Sequence, residues 1–254
     1  MKFCQAVESF LKNRFEDLKE GFISDYLIGI KYSYAIFSSQ NIKSVGLSFV
    51  PREDIIGFPI ANEPQIDKIS SLMKSRNILD RVLAIATLNA VSQYLIWSVD
   101  KLEAEKVNLI DKVCEVVESS ERVVVIGNMI PLVRKIKGIA REVLVFERNQ
   151  NYRTQALPDC LEFEFIEDAD ILIMTGATLV NGTFDVINKL SNPKLKIIVG
   201  PTAQAHPEIF KELGINLICS LKVVDCDETL SIIKRGGGRW TFSECCEEYC
   251  FSLE

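Results

Sequence analysis

Short polar side chains and glycines gather at the ends of several apolar runs in this chain, and chemistry is first to be sought there. The densest group is Asp168-Ala169-Asp170, then ILIM, then Thr175-Gly176-Ala177-Thr178-Leu179-Val180-Asn181-Gly182-Thr183. Hydroxyls and an amide donate and accept hydrogen bonds, and glycine lets backbone come close to a guest. Thr175, Gly176, Thr178, Asn181, Gly182 and Thr183 are therefore candidate ligand contacts. Turn formation competes for the same groups, as does capping by Asn181 or Thr183 of a helix containing Phe184 and Ile187.

A second group is Gly127-Asn128-Met129-Ile130-Pro131, where Gly127 permits close approach and Pro131 suits the first turn of a helix. The third is Glu147-Arg148. Glu147 lies about twenty residues beyond Gly127, the separation at which an acid accepts hydrogen bonds from ribose hydroxyls. Arg148 could hold a ligand carboxylate, while a solvated pair in a polar loop is the competing reading. The fourth is Gly200-Pro201-Thr202-Ala203-Gln204-Ala205-His206-Pro207, a tight turn ahead of a helix. His206 is the sole histidine; it titrates near neutrality, yet alone it makes neither a triad nor a metal cluster, and a place at the helix start is expected. In the tail SECCEEYC, Cys245, Cys246 and Cys250 stand among Glu244, Glu247 and Glu248, a donor set for a soft or borderline metal ion. Its spacing is not C-x-x-C, so packing or adventitious thiols are the competing explanation.

The elements that must position these groups follow from the apolar pattern. RVVVIG, REVLVFE, DADILIMTG, LKIIVG and INLIC alternate with helical or connecting segments, which demands a parallel sheet with crossover helices. Continuous apolar runs fit strands covered on both faces, and ligands bind beyond the carboxyl ends of such strands. The fold class is α/β: a Rossmann-like domain over 101–254, ending in the cysteine-rich tail, preceded by a small α+β domain over 1–100. In the latter, Phe3, Val7, Phe10, Leu11 and Leu18 mark an amphipathic helix ending near Gly21. ISDYLIGIKYSYAIF and SVGLSFV then give two or three antiparallel strands with a turn at 39–41, and helical patterns cover Ile66 to Ser75 and Leu79 to Trp97. A further helix is expected from Leu102 to Glu118.

Composition narrows the function. A net charge of -6, with 35 acidic against 29 basic residues and no long basic run, argues against a nucleic-acid partner. The longest apolar stretch, VLAIATLNAVSQYLIW, carries Thr87, Asn89, Ser92 and Gln93, so it reads as a buried helix, and no membrane partner or export signal is indicated. A cytoplasmic protein with mostly reduced thiols is expected, with self-association into a homo-oligomer left open. One glycine at Gly127, in place of the fuller G-x-G-x-x-G turn, disfavours NAD or FAD and leaves room for a smaller nucleoside-like ligand such as S-adenosylmethionine.

Taken together, VIGNMIP, VFERN, DADILIMTGATLVNGTFD and IVGPTAQAHPEIFKELGI resemble the putative heavy-metal chelation family of uncharacterised microbial proteins. The resemblance covers nearly the whole chain. It implies an amino-terminal domain similar to the enolase amino-terminal fold and a Rossmann-like domain similar to methyltransferases. It further implies an interdomain cleft for a small polar ligand, in proteins that make or handle metal-chelating compounds related to pterins, flavins or siderophores. SVGLSF and ATLNAVSQ are similar to that family's recurring segments, which places Asn89 near the crevice. The tail cysteines lie outside the pattern. Three readings stand: an enzyme holding an anionic or nucleoside-like metabolite through Glu147, Asn181 and Thr183, a noncatalytic carrier of a chelate, and direct metal binding by the tail.

Overall fold

The computed structural model describes residues 1–57 and 59–253. Its ten strands are β1 (Phe22–Leu27), β2 (Tyr32–Ser39), β3 (Ile42–Phe49), β4 (Arg122–Ile126), β5 (Glu142–Glu147), β6 (Leu157–Pro158), β7 (Ile171–Thr175), β8 (Leu195–Val199), β9 (Leu217–Val223) and β10 (Cys246–Ser252). The first three form an antiparallel sheet, with Gln40 and Asn41 as the turn between β2 and β3. Gln40 takes the left-handed conformation, φ 54°, that such a two-residue turn requires.

The other seven form one sheet in the order β10-β9-β8-β7-β4-β5-β6, parallel throughout except for β10. The chain winds from β4 outward to β6, then returns to β7 and winds the other way. Between β4 and β7 the loops therefore depart to opposite sides and leave a crevice beyond the strand ends. Alternation along β4 shows why its strands are apolar on both faces: Val124 and Ile126 join one hydrophobic cluster, Val123 and Val125 another. The second cluster includes residues from the helices Leu109–Glu115 and Ile130–Ile136.

The first cluster is filled by the long helix Ile78–Tyr94, which also lies against β2 and β3 and is buried around most of its circumference because both sheets flank it. With the π-helical turn Leu95–Val99 it is long and apolar enough to cross a bilayer, yet 78% of its most apolar window is buried inside the fold. Gly46 on β3 makes the contact close. A Cβ there would stand 2.0 Å from the backbone nitrogen of Ala90 and 2.1 Å from the carbonyl oxygen of Ala86. Gly46→Ala is expected to cost about 2–3 kcal/mol, because packed backbone must separate; a lower midpoint in urea, with the slope unchanged, checks it.

The small sheet is joined to the large one by buried polar side chains. Gln204 accepts a hydrogen bond from Leu47 N–H at 2.7 Å and donates to the Leu221 carbonyl at 2.8 Å. Thr202 Oγ1 accepts from Phe49 N–H at 2.9 Å. Asn89 donates to the carbonyls of Leu47, at 2.7 Å, and Thr202, at 2.9 Å. The turn after β8 and one helix amide thus supply hydrogen-bond partners along β3.

Three expected elements differ. Of the stretch Leu102 to Glu118, only Leu109–Glu115 is a helix, capped by Asn108, whose side chain accepts from Ile110 and Asp111 N–H. Glu105 instead exchanges backbone hydrogen bonds with Cys250, at 3.0 and 2.9 Å, because the edge of β10 offers partners that a local helix would forgo. The cysteine-rich segment is not a loose tail: Cys246 to Ser252 is the antiparallel edge strand itself. The opening helix, Phe3–Asn13, breaks at Arg14 and resumes for one turn at Phe15–Leu18.

Candidate functional site

A cleft of about 490 Å³ opens beyond the carboxyl ends of β4, β5, β7 and β8. That volume suits one small metabolite. Gly127 begins its floor with φ 96°, a conformation that a Cβ would strain and that would also drive the Cβ to 2.6 Å from Thr175 Cγ2. The next amide, Asn128 N–H, donates to Glu147 Oε2 at 2.8 Å, and Asn149 N–H donates to Glu147 Oε1 at 2.8 Å. Each carboxylate oxygen is thereby oriented by one backbone donor and keeps acceptor capacity for a guest.

The remaining expected contacts divide. Arg148 borders the cleft but is held by Asp54, Nη2 to Oδ1 2.6 Å, so its charge is already answered within the protein. Thr175, Thr178, Asn181 and Thr183 also border it. Much of their bonding is local: Thr178 Oγ1 donates to the Thr175 carbonyl at 2.8 Å, and Asn181 Oδ1 accepts from Thr183 N–H and Oγ1–H at 3.0 and 2.9 Å. Gly200, Pro201 and Thr202 form the opposite rim.

Three expected contacts stand elsewhere. Gly176 serves the turn after β8, where a Cβ would meet Ala203 N at 2.7 Å. Gly182, φ 82°, ends the short helix Ala177–Asn181 and does not border the cleft. Asn89 is fully buried behind the wall; its Nδ2 donates to Leu47 on β3 and to Thr202, and its Oδ1 has no partner among the described residues.

Several bordering residues carry no local motif. Tyr32 and Phe49 come from the small sheet, Lys31 and Glu53 from the segments that flank it, and Arg239 and Trp240 from the loop before β10. The glycine run in KRGGGRW was the visible signal for that loop. Arg239 pairs with Glu248 and lies 5.2 Å over the Trp240 ring, which is 65% exposed at the rim. Burial pushes the Tyr32 phenol up to about 12, against the pull of Arg239, so it meets a guest as a neutral hydroxyl. Asp159 and Glu162 complete the wall beyond β6. Glu162 is 2% exposed, and burial, aided by the Asp159 charge and opposed by Arg148, pushes its carboxyl up to about 7.

The sole histidine lies outside the cleft. His206 Nδ1 accepts from Glu208 N–H at 3.3 Å at the start of the helix Pro207–Lys211, and Nε2 faces Asp100 Oδ2 at 3.0 Å. Burial pushes its pKa down, against Glu208 and Asp100. Asp100, His206 and Glu208 would be near enough to share a cation, but Arg14 already occupies the position, Nη2 lying 2.5 Å from Asp100 and 3.2 Å from Glu208.

The tail thiols are held apart. Cys246 is paired with Val223 and Cys250 with Cys219, and four residues of strand separate them by roughly 13 Å. Burial pushes the Cys246 thiol up to about 12, with Arg239 opposing, and Cys250 faces Cys219 Sγ at 2.7 Å in the core. Cys245, Cys246 and Cys250 therefore cannot converge on one ion without dismantling β10.

Compared with known proteins, residues 12–92 and 110–251 match two family models carrying one description, "Putative heavy-metal chelation". An uncharacterized protein of Methanocaldococcus jannaschii is 31% identical, the match covering 97% of this chain and 95% of the relative. A crystal structure from Pyrococcus horikoshii, of a protein with unknown function, superposes with a TM-score of 0.87 at 28% identity, covering 99% of this chain and 100% of that one. A second, from Desulfitobacterium hafniense, shares the fold with a TM-score of 0.73 at 17% identity over 98% of each chain. By these matches along both sheets, the chain belongs to the family described as "Putative heavy-metal chelation".

Proposed function

We propose that the cleft binds a small polar metabolite bearing vicinal hydroxyls, nucleoside-like in size, and that the protein acts on it as a cytoplasmic enzyme. The family description motivates a role in making or handling a metal-chelating compound of pterin, flavin or siderophore type. The supporting observation is the Glu147 carboxylate. Its two oxygens are fixed by the N–H groups of Asn128 and Asn149, and it borders a cavity of suitable volume. Two adjacent acceptors held rigid suit two adjacent hydroxyl donors. S-adenosylmethionine meets that requirement, whereas the single-glycine turn at Gly127 suits a dinucleotide pyrophosphate poorly.

A carrier without turnover is the second reading. It rests on the cleft's lining, which among the described residues holds threonines, tyrosines and carboxyls but no histidine, cysteine or serine. Turnover of a bound compound, followed by mass spectrometry, selects between the two.

Thermal shift with adenosine, 2′-deoxyadenosine, S-adenosylmethionine, a pterin and a ferric siderophore tests the site, since a ligand of the folded state raises the melting temperature. Adenosine is expected to stabilise the protein and 2′-deoxyadenosine to do so much less. Glu147→Gln is expected to weaken adenosine about 10-fold or more, the worth of one charge-assisted hydrogen bond. Equal shifts from the two nucleosides would sink the diol reading.

A further inference from the structure

Glu162 lies in the turn Asp159–Glu164 that follows β6, borders the cleft, and is 2% exposed. Its carboxyl makes no hydrogen bond or ion pair with any described residue. Buried polar groups are nearly always partnered, so one left open toward a cavity marks a place where a guest supplies the partner. The location suits a guest anchored at Glu147. In the parallel pairing of β5 with β6, Glu147 stands beside Pro158, so the turn carrying Glu162 begins one strand spacing, roughly 4.8 Å, to the side. Phe146, whose ring packs 5.8 Å from that of Phe165, gives the intervening wall an apolar face.

We propose that Glu162 reads the edge of a nitrogen heterocycle held in the cleft, accepting from a ring amino group when ionised and donating its proton to a ring carbonyl when protonated. The proposal rests on the reading of Glu147 as the anchor for the ligand's hydroxyls. A carboxyl is suited to this because the ionised form only accepts, while the neutral form carries one donor. Burial brings the change of form into the neutral range, up to about 7. The charged groups around it are few. Asp159 stands in its own turn and favours the protonated form, Arg148 at the end of β5 favours the ionised form, and β6 brings no titratable side chain. Glu147 and, from the segment after β3, Glu53 border the same cleft, and Asp54 from that segment pairs with Arg148.

Adenosine and inosine form the discriminating pair, since both carry the ribose diol and they differ in presenting an amino group or a carbonyl at one ring position. Isothermal titration of the full chain with each, at pH 6 and pH 8, reads the preference directly. Wild type is expected to favour adenosine about 10-fold at pH 8, the worth of a hydrogen bond to a charged group. That preference is expected to shrink or reverse at pH 6, whereas Glu162→Gln, nearly isosteric and unable to ionise, should show the same ratio at both values. An adenosine-to-inosine ratio in wild type that ignores pH overturns the proposal, as does a pH-dependent ratio that survives in Glu162→Gln. If adenosine binding still depends on Glu147 in either case, the diol site stands and only the role of Glu162 falls. If neither nucleoside binds, both readings fall together.

Discussion

Replacing Gln204 by alanine is expected to lower the melting temperature by roughly 10 °C, the largest loss from any single side chain in the turn after β8. The residue is fully buried, and its amide satisfies Leu47 N–H on one sheet and the Leu221 carbonyl on the other. Truncation leaves both groups unpaired away from water, at about 1–3 kcal/mol each, and adds a cavity, so about 3–5 kcal/mol is expected in all. Gln204→Leu separates the causes, since it restores volume without either hydrogen bond. Thermal unfolding followed by circular dichroism should place the leucine variant close to alanine. A leucine variant as stable as wild type would show that Gln204 matters only as filling.

The second large effect concerns Glu162 and depends on pH. Its carboxyl titrates near 4.5 in the unfolded chain and is raised to about 7 in the fold, chiefly by burial. The folded state thus holds its proton more tightly than the unfolded state. Below pH 4.5 the group is neutral in both states and has no effect on stability. Between 4.5 and 7 folding is increasingly penalised, and above about 7 the penalty is complete. Glu162→Gln removes the charge and should therefore stabilise the free protein at pH 8.5 by on the order of 3 kcal/mol, with no gain at pH 4. Urea unfolding at the two pH values measures this. A variant no more stable than wild type at pH 8.5 would mean the carboxyl is solvated or partnered after all. Wild type would retain the costly group because the cleft uses it, the relation between local instability and function common to binding sites.

Much of the Rossmann-like part was legible because its strands are buried on both faces. RVVVIG and DADILIMTG stay apolar without alternation, so they declare both their type and their central position in the sheet. Glu147 was found from its separation from Gly127, a local consequence of β5 following β4 after one crossover. The failures have equally specific causes. Leu102 to Asn108 has a helical pattern but takes an extended path, since the partner for Glu105 lies at Cys250, far along the chain. Asn89, Thr202 and Gln204 are polar residues in suggestive places whose bonding is partly or wholly to β3 and the core. Glu162 gave no signal at all, because a glutamate in DCLEFE looks solvated until the fold closes over it.

Alone, the amino-acid order determined the order of the parallel strands along the chain, the turns at Gly127 and Gly200, and the polar character of the rim, since these depend on near neighbours and on backbone limits. Tertiary structure decided which polar groups remain open to a guest. That outcome depends on hydrogen bonds and burial between segments as distant as Leu47 and Gln204, or Lys31 and Arg239, and no local pattern encodes whether a donor will already have found its acceptor.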